Sequence, residues 1–217
     1  LTQFGGSLGT GASYKWYTGP NGTGVASGTG SSITVSPSTT TTYYVRAEGT
    51  CNTTSDASVV VTVNTLSTAP SSISGASTIC NGGSTTLTKS GGSLGTGASY
   101  KWYTGPNGTG VASGTGTSIT VSPSTTTTYY VRAEGTCNTT SDASVVVTVN
   151  TLSTAPNSIT GTSTICNGGS TTLTQSGGSL GTGASYMWYT GPNGSGSLAG
   201  SGASITVSPS TTTTYYV

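Results

Sequence analysis

The chain has 217 residues, more than half of them Gly, Ser or Thr, with 5 Lys or Arg, 4 Asp or Glu and no His. With a net charge of +1 it lacks the basic surface that phosphate binding needs, and without His it lacks the usual group for general acid–base catalysis. No apolar run reaches the roughly 20 residues of a membrane helix. Nucleic-acid binding, acid–base catalysis and a membrane span are therefore not expected.

The sequence repeats with a period of 86 residues, the interval from Trp16 to Trp102 and from Trp102 to Trp188. Because the chain holds about two and a half such units, we expect a segment of a longer array that is cut at both ends. The Pro-containing segments Thr65–Pro70 and Thr151–Pro156 follow valine-rich strands and predict the boundaries. The predicted domains are repeat 1 (1–66, truncated at its N-terminus), repeat 2 (69–152, complete) and repeat 3 (155–217, truncated at its C-terminus).

Repeat 2 shows short strand and turn patterns and no helical periodicity. In chain order, the sequence predicts an extended segment at Ser71–Cys80 and strands at Thr85–Lys89, Tyr100–Tyr103, Thr117–Ser122, Thr127–Glu134 and Ala143–Val149. A flexible loop is predicted at Gly91–Gly97 and a tight turn at Gly105–Gly108. About six or seven short strands with frequent turns predict an all-β fold, with one β-sandwich per repeat and the sandwiches joined like beads on a string.

The positions of a few large residues resemble the immunoglobulin-like pattern. Leu87 matches an inward position of strand B, Trp102 the strand C tryptophan, and Tyr129 the tyrosine corner at the start of strand F. Val131 stands where an antibody domain has its second cysteine, so apolar packing replaces the usual inter-sheet disulfide. The predicted core residues are Trp16, Trp102, Trp188, Leu87, Tyr129 and Val131.

Longer stretches of the repeat resemble one bacterial group of proteins. The segments Ile-Cys-Asn-Gly-Gly-Ser-Thr-Thr-Leu-Thr, Trp-Tyr, Thr-Thr-Thr-Thr-Tyr-Tyr-Val and Gly-Thr-Cys-Asn are similar to the Ig-like repeats of very large secreted surface proteins of Bacteroidota. The gliding-motility adhesins of Flavobacterium-like bacteria belong to that group. The resemblance covers the whole chain and implies type 9 secretion, an extracellular location on the bacterial cell surface, and an adhesive or stalk function.

The four cysteines, which recur at two alternating positions per repeat, are Cys51, Cys80, Cys137 and Cys166. Their recurrence indicates an oxidising setting. If Leu87 and Val131 face each other, Cys80 and Cys137 lie roughly 40 Å apart, too far for a disulfide. We therefore hypothesise an interdomain staple from Cys80 to the equivalent of Cys137 in the next repeat, beyond Val217. A Cys80–Cys137 bridge and free thiols stay open as alternatives. No metal or cofactor site is expected without His or a Cys-x-x-Cys motif.

Charged and aromatic residues alternate on the predicted outward face of strands C and F. A solvated face with an Arg–Glu pair is one interpretation, and a surface for glycans or for another chain is the other. Met187 replaces the lysine in repeat 3, which suggests that this charge is not indispensable. The candidate binding residues are Lys15, Tyr17, Tyr44, Arg46, Lys101, Tyr103, Tyr130 and Arg132, with Glu48 and Glu134 beside them.

These patterns favour a non-enzymatic, repetitive surface adhesin or stalk that extends an adhesive tip from the cell, in surface adhesion and gliding motility. The expected partners are further copies of the repeat in one chain, and surface glycans or neighbouring chains. A glycan-binding accessory module of a secreted enzyme and a self-assembling extracellular filament subunit are the alternatives. Near-identical copies favour the stalk, because an accessory module seldom needs such uniform repetition.

Overall fold

A computed structural model describes all 217 residues, and strands form its regular structure apart from three 3-10 turns, Pro20–Gly22, Pro106–Gly108 and Pro192–Gly194. None of these three-residue turns has the length or hydropathy to cross a membrane. Repeat 1 contains β1 (Ser13–Tyr17), β2 (Ala26–Thr29), β3 (Thr41–Glu48) and β4 (Ala57–Val61). Repeat 2 contains β5 (Ser72–Ser74), β6 (Thr78–Cys80), β7 (Thr85–Ser90), β8 (Ser99–Tyr103), β9 (Ala112–Thr115), β10 (Ser118–Val121), β11 (Thr127–Glu134) and β12 (Ala143–Asn150). Repeat 3 contains β13 (Ser158–Thr160), β14 (Thr171–Ser176), β15 (Met187–Tyr189), β16 (Leu198–Ser201) and β17 (Ser204–Val207). The predicted all-β class is confirmed.

By internal packing the chain forms two compact units. One comprises residues 1–68 with 93–98 and 134–139, and the other residues 69–92 with 99–133 and 140–217. The first unit therefore includes repeat 1, the start of the linker after it, and two short segments of repeat 2. The second unit includes most of repeat 2 and all of repeat 3.

Repeat 2 is a two-sheet sandwich. One sheet has the strand order β5-β7-β10 and the other β6-β12-β11-β8-β9. Alternation along each strand points one set of side chains between the sheets, where Leu87, Trp102 and Val131 are fully buried and Tyr129 is 6% exposed. All four predicted core residues of this repeat therefore lie in the space between the two sheets.

The predicted extended segment Ser71–Cys80 divides into two strands at Gly75. β5 pairs with β7 antiparallel in one sheet, and β6 pairs with β12 parallel in the other. Gly75 has φ +140°, and a Cβ there would press on the Thr86 carbonyl, so glycine is needed for the crossing. This division and β9, whose sequence Ala-Ser-Gly-Thr carries no strong β signal, raise the number of strands to eight.

Repeat 1 forms a sheet in the order β2-β1-β3-β4. Trp16 lies opposite Val45 in the register of β1 with β3, and Lys15 lies opposite Arg46. Because successive residues point to opposite faces, Trp16 is buried at 2% exposure while Lys15 and Arg46 lie on the outer face. In repeat 3 the sheets β13-β14-β17 and β15-β16 bury Trp188 completely.

Each buried tryptophan makes the same hydrogen bond. The indole N–H of Trp16 donates to Gly30 O, that of Trp102 to Gly116 O and that of Trp188 to Gly202 O, each at 2.9 Å. The three acceptors follow the strand that pairs with the tryptophan strand. Burial of the rings therefore leaves no indole donor unsatisfied.

Candidate functional site

Two Pro-containing segments, Thr65–Pro70 and Thr151–Pro156, each contact a glycine-rich loop that follows them in the chain, and we call these two segments the linkers. We call this loop the docking loop: Gly5–Gly11 in repeat 1, Gly91–Gly97 in repeat 2 and Gly177–Gly183 in repeat 3. In repeats 2 and 3 the docking loop and the linker are joined by the same hydrogen bonds. The sequence predicts only a flexible loop at these positions.

The first linker forms an antiparallel bridge with its docking loop. Thr68 N donates to Ser93 O at 3.0 Å and Ser93 N to Thr68 O at 3.3 Å, while Thr96 N donates to Thr65 O at 3.1 Å. The second linker makes the same three bonds, Thr154 N to Ser179 O at 2.9 Å, Ser179 N to Thr154 O at 3.3 Å and Thr182 N to Thr151 O at 3.1 Å. The linkers therefore behave as short β-type segments of the following repeat.

Hydroxyl groups add a second set of hydrogen bonds to each bridge. Gly95 N donates to Ser67 Oγ at 2.9 Å, and Thr65 N donates to Thr96 Oγ1 at 3.0 Å. The Thr68 and Ser93 hydroxyl oxygens are 2.9 Å apart. In the second junction the corresponding bonds are Gly181 N to Ser153 Oγ at 2.9 Å, Thr151 N to Thr182 Oγ1 at 2.9 Å and the Thr154–Ser179 hydroxyl pair at 2.9 Å. These groups are hydroxyls and backbone amides, so the hydrogen bonds of the junction involve no charged group.

A side-chain amide completes the first junction. Asn138, in the loop between β11 and β12, accepts from Ser67 N and donates to Ser67 O, both at 2.9 Å. Ser67 is 6% exposed, one of two buried polar residues of the chain. The amide therefore satisfies the backbone of a residue that water hardly reaches.

Glycine is required where the linker backbone crosses the docking loop. A Cβ at Gly95 would lie 2.7 Å from both Leu66 C and Ser67 N, and would press on Thr65 O. At Gly181 a Cβ would lie 2.7 Å from Ser153 N and 2.8 Å from Leu152 C. At Gly9, the counterpart in repeat 1, it would meet nothing within 4 Å. The steric need for glycine thus depends on a docked linker.

The candidate binding face of repeat 1 forms a closed network around Glu48. Lys15 Nζ lies 2.8 Å from Glu48 Oε2, and Arg46 Nη2 lies 2.6 Å from Glu48 Oε1. Tyr17 donates its hydroxyl proton to Glu48 Oε1 at 2.8 Å, and the Arg46 guanidinium lies 5.4 Å from the Tyr17 ring centroid. Tyr44, on the same face, is half-buried. The charges of this face therefore satisfy one another.

The network shifts the ionisation of its members. Hydrogen bonds from Lys15, then from Tyr17 and Arg46, lower the pKa of Glu48 from 4.5 to about 2. The Glu48 carboxylate in turn raises the pKa of Lys15 and of Arg46. Glu48 and Arg46 are each 18% exposed in their side chains, so solvent screens the attraction only in part.

The corresponding residues of repeat 2 occupy the same strands, β8 and β11. Arg132 lies 5.4 Å from the Tyr103 ring centroid, as Arg46 does from Tyr17. Lys101, Tyr130 and Glu134 are half-buried. Burial alone raises the pKa of Tyr129, which faces the core. Repeat 3 carries Met187 where repeats 1 and 2 have a lysine, so its face lacks that positive charge.

Two aspartates anchor the Pro-Asn-Gly turns. Asp56 Oδ2 accepts from Asn21 N at 2.5 Å, and Asp142 Oδ2 accepts from Asn107 N at 2.6 Å. Both asparagines have φ 55°, so the turn depends on a residue that tolerates the left-handed region. Asp56 therefore supports the turn between β1 and β2, and Asp142 the turn between β8 and β9, a role that sequence spacing does not reveal.

The four cysteines are exposed and unpaired. Cys80 ends β6 and lies opposite Asn150, the last residue of β12. Cys137 lies in the loop that precedes β12.

Two clefts of the chain are openings of its sandwich cores. One is lined by Trp16, Tyr43 and Val45 of repeat 1, whose counterparts form the closed core of repeat 2. The other lies in repeat 3 beside Leu173 and Val207. Neither contains a group of three or more His, Cys, Asp or Glu that would bind a metal ion.

The sequence profile of one protein family, the CHU_C-associated Ig-like domain, matches residues 5–64, 68–150 and 154–217. The chain belongs to this family. The resemblance drawn from the sequence motifs is thereby confirmed, as is the presence of three tandem Ig-like repeats. No protein of curated function matches the chain in sequence.

Several solved structures are similar to the chain at low identity. An adhesin by which an Antarctic bacterium binds ice shares 17% identity and a TM-score of 0.36 over 96% of this chain and 59% of that one. A Dscam structure that addresses isoform specificity shares 12% sequence identity and a TM-score of 0.33, over 64% of this chain and 38% of that one. The eight N-terminal Ig domains of Down syndrome cell adhesion molecule share 11% identity and a TM-score of 0.36, over 76% of this chain and 22% of that one. The chain spans less than two thirds of each of these structures. At such TM-scores the similarities support no conclusion about this Ig-like chain.

The sequence patterns do not reveal the hydrogen bonds that hold the linkers to the docking loops. The docking set of Ser67, Ser93, Gly95, Thr96 and Asn138 consists of small polar residues that are common throughout the chain. One signal was available, because Thr-Leu-Ser-Thr-Ala-Pro and Gly-Gly-Ser-Leu-Gly-Thr-Gly recur together at both junctions. A repeated pair of segments of this kind indicates a repeated contact.

Proposed function

We propose that the chain is part of a non-enzymatic stalk of tandem Ig-like repeats on the outside of a bacterial cell. The observation that carries this proposal is the recurrence of the same three backbone hydrogen bonds between linker and docking loop at both junctions. Each junction combines three backbone bonds with several hydroxyl bonds, each contributing about 1 kcal/mol net. Such a junction resists fraying when the chain is stretched.

The composition supports a structural role rather than catalysis. The chain has four carboxylates and no His, the residue most often used for proton transfer, and three partners lower the pKa of Glu48 to about 2. Membership of the Ig-like family is compatible with export to the cell surface. Extension of an adhesive tip, gliding motility and type 9 secretion are the finer parts of this proposal.

We also propose that cysteines staple neighbouring repeats. Cys80 lies beside Asn150, from which the chain enters the linker, and Cys137 precedes Asn138, the residue that binds a linker. These neighbours support the inference that the two cysteine positions lie on the two sides of a junction between repeats. A disulfide there would join one repeat to the next and limit their separation under load.

Thiol counting tests the staple on the chain itself. No cysteine of the Cys137 type follows Cys137 within residues 1–217, so the purified chain should titrate four thiols after exposure to a glutathione redox buffer. Two thiols and an intramolecular disulfide would overturn the staple. In the natural protein, proteolytic cuts in a linker should leave fragments that separate only after reduction.

A specific observation favours lateral assembly as a second candidate. β6 pairs only with residues 148–150 of β12, so the edge of β12 before them is open, and Val146 beside it is 48% exposed. Val60, its counterpart on β4, is 57% exposed. An open strand edge next to apolar side chains is suited to pairing with another chain. For the glycan-binding alternative, the satisfied network around Glu48 leaves no free charge to attract a ligand.

Labelling of intact cells and force spectroscopy test the stalk. Antibodies against the chain should decorate fibres on unpermeabilised cells of the producing bacterium, and labelling only after lysis would contradict the proposal. Stretching of the single chain should release about 25 nm of contour length when repeat 2 unfolds. A chain that extends smoothly without such a step would not act as a stalk.

A further inference from the structure

We propose that the Cys-Asn-Gly-Gly turns of the chain are sites of spontaneous deamidation, at which Asn81 and Asn167 are converted to aspartate or isoaspartate while the chain stays folded. This modification goes beyond a stalk function, because it depends only on the local structure of each turn. Asn-Gly pairs fall into two structural classes here. Three lie in the Pro-Asn-Gly turns and two in the Cys-Asn-Gly-Gly turns, namely Asn21, Asn107 and Asn193 in the first class and Asn81 and Asn167 in the second.

The reaction uses only the Asn-Gly pair and water. The backbone nitrogen of Gly82, after losing its proton, attacks Cγ of Asn81, so that an N–Cγ bond forms, the Cγ–Nδ2 bond breaks and ammonia leaves. Water then opens the five-membered imide ring at either of its two carbonyl groups, which yields aspartate or isoaspartate. Glycine favours ring closure because it has no Cβ to obstruct the approach. Closure also requires the side chain and the next backbone nitrogen to lie on the same side of the Cα–C bond.

The Pro-Asn-Gly turn of repeat 2 holds Asn107 far from this geometry. Because the bonds at Cα are nearly tetrahedral, its ψ of 31° places the Gly108 nitrogen about 150° in torsion from Cβ. Asp142 Oδ2 accepts from Asn107 N at 2.6 Å, and Thr109 N donates to Pro106 O at 3.1 Å. Rotation of the Asn107–Gly108 peptide toward the reactive geometry therefore has to break the hydrogen bonds of the turn.

An arginine side chain also covers the glycine of this turn. Gly108 is half-buried, and a Cβ on it would lie 2.7 Å from Arg132 Cζ. Repeat 1 repeats the arrangement, with Arg46 against Gly22 and with Asp56 Oδ2 accepting from Asn21 N at 2.5 Å. The first two Pro-Asn-Gly turns are therefore each restrained by an aspartate and an arginine.

The Cys-Asn-Gly-Gly turn has neither restraint. Gly83 N donates to Cys80 O at 2.8 Å and closes the turn, while Asn81 N donates to the backbone of Asn150 and to no side chain. Asn81 and Gly82 are exposed, and a Cβ at Gly82 would meet nothing within 4 Å. The Asn81–Gly82 peptide group therefore has room to rotate while β6 and β12 stay paired.

The turn of repeat 3 has the same properties. Gly169 N donates to Cys166 O at 2.8 Å, Asn167 and Gly168 are exposed, and a Cβ at Gly168 would meet nothing within 4 Å. Each conversion adds one negative charge, so conversion of both sites changes the net charge of the chain from +1 to −1. In an array with one such turn per repeat, the added charge grows with the number of repeats, and neighbouring chains repel each other more strongly as they age.

Peptide mapping by mass spectrometry tests the sites on the purified full chain, incubated in its folded state at mildly alkaline pH. Asn81 and Asn167 should convert, and isoelectric focusing should show two successive acidic shifts. Asn107 is the internal control, and it should convert at least about tenfold more slowly than Asn81, because the hydrogen bonds of its turn must break first. In concentrated urea, where neither turn is formed, Asn81 and Asn107 should convert at similar rates. Equal rates in the folded chain, or a folded chain in which Asn81 stays intact while the unfolded chain converts, would overturn the proposal.

Two variants separate the causes. Asp142→Ala removes the anchor of Asn107 and should speed conversion there about three- to tenfold without affecting Asn81, and an unchanged rate would refute the protective role of Asp142. Asn81→Gln, whose longer side chain disfavours ring closure, should abolish one of the two acidic shifts and leave Asn167 unaffected. Persistence of both shifts in Asn81→Gln would assign the charge to another residue and overturn the site. The comparison of Asn81 with Asn107 in the unaltered chain does not depend on the folding of either variant.

Discussion

Asn138 holds the backbone of Ser67 from both sides, with its Oδ1 accepting from Ser67 N and its Nδ2 donating to Ser67 O at 2.9 Å each. Asn138→Ala should therefore destabilise the chain by about 1–3 kcal/mol, because a buried N–H and C=O lose their partners. Urea unfolding followed by tryptophan fluorescence measures the change. The matched control is Asn52→Ala in repeat 1, which should stay within about 0.5 kcal/mol. Equal effects of the two variants would contradict the role of the amide.

Gly95→Ala and Gly181→Ala should each lower the free energy of unfolding by about 1–3 kcal/mol, because the new methyl group displaces the linker backbone from the docking loop. Gly9→Ala should be neutral or slightly stabilising, since it meets no atom within 4 Å and restricts the unfolded chain. Limited proteolysis adds a local readout, with faster cleavage in the linker next to the substituted loop only. Uniform cleavage across variants would refute linker docking.

Acid should destabilise the fold of repeat 1, because Glu48 becomes protonated at low pH. Because its pKa in the folded chain is lowered from 4.5 to about 2, its contribution to stability is full above pH 4.5 and is lost as the pH falls toward 2. An NMR titration of the Glu48 side-chain carbon should give this low pKa. Lys15→Met, which copies the residue found in repeat 3, removes the largest cause and should move the pKa back toward 4.5. An unchanged titration in this variant would show that Lys15 does not engage Glu48.

Leu87→Ala should lower the free energy of unfolding by about 2–5 kcal/mol, because Leu87 is fully buried between the two sheets and a cavity would replace its side chain. Thermal or urea unfolding measures this change. Leu66→Ala is the control for loss of the same atoms at a residue that is 64% exposed, and it should change stability by less than about 0.5 kcal/mol. A small effect at Leu87 would mean that the core of repeat 2 collapses around the lost side chain.

The period of the repeat and the alternation of apolar and polar residues allowed the fold to be predicted from the sequence. The 86-residue spacing of the tryptophans and the alternating pattern of Thr127–Glu134 predict repeats and a strand, and both are present. The crossing at Gly75 was not predicted, because a single extended pattern does not show which sheet each half joins. β9 was missed because a strand at a sheet edge needs few apolar residues.

The contact between linker and docking loop could not be predicted from the sequence. Its recognition groups are backbone amides and carbonyls, which every sequence possesses, and hydroxyls that are abundant along this chain. Only the crowding at Gly95 and the partner of Ser67 identify the contact, and both require coordinates. The network around Glu48 was predicted in part, since the alternation of β3 places Arg46 and Glu48 on one face, but the contribution of Tyr17 was not.

The pairing of Ser67 with Asn138 spans 71 positions of the chain. During synthesis the linker after repeat 1 therefore leaves the ribosome before Asn138 does, so this contact forms only after that part of repeat 2 has been made. Closing so long a loop has a larger entropic cost than a local contact, so we expect Asn138 to fix the linker late in folding.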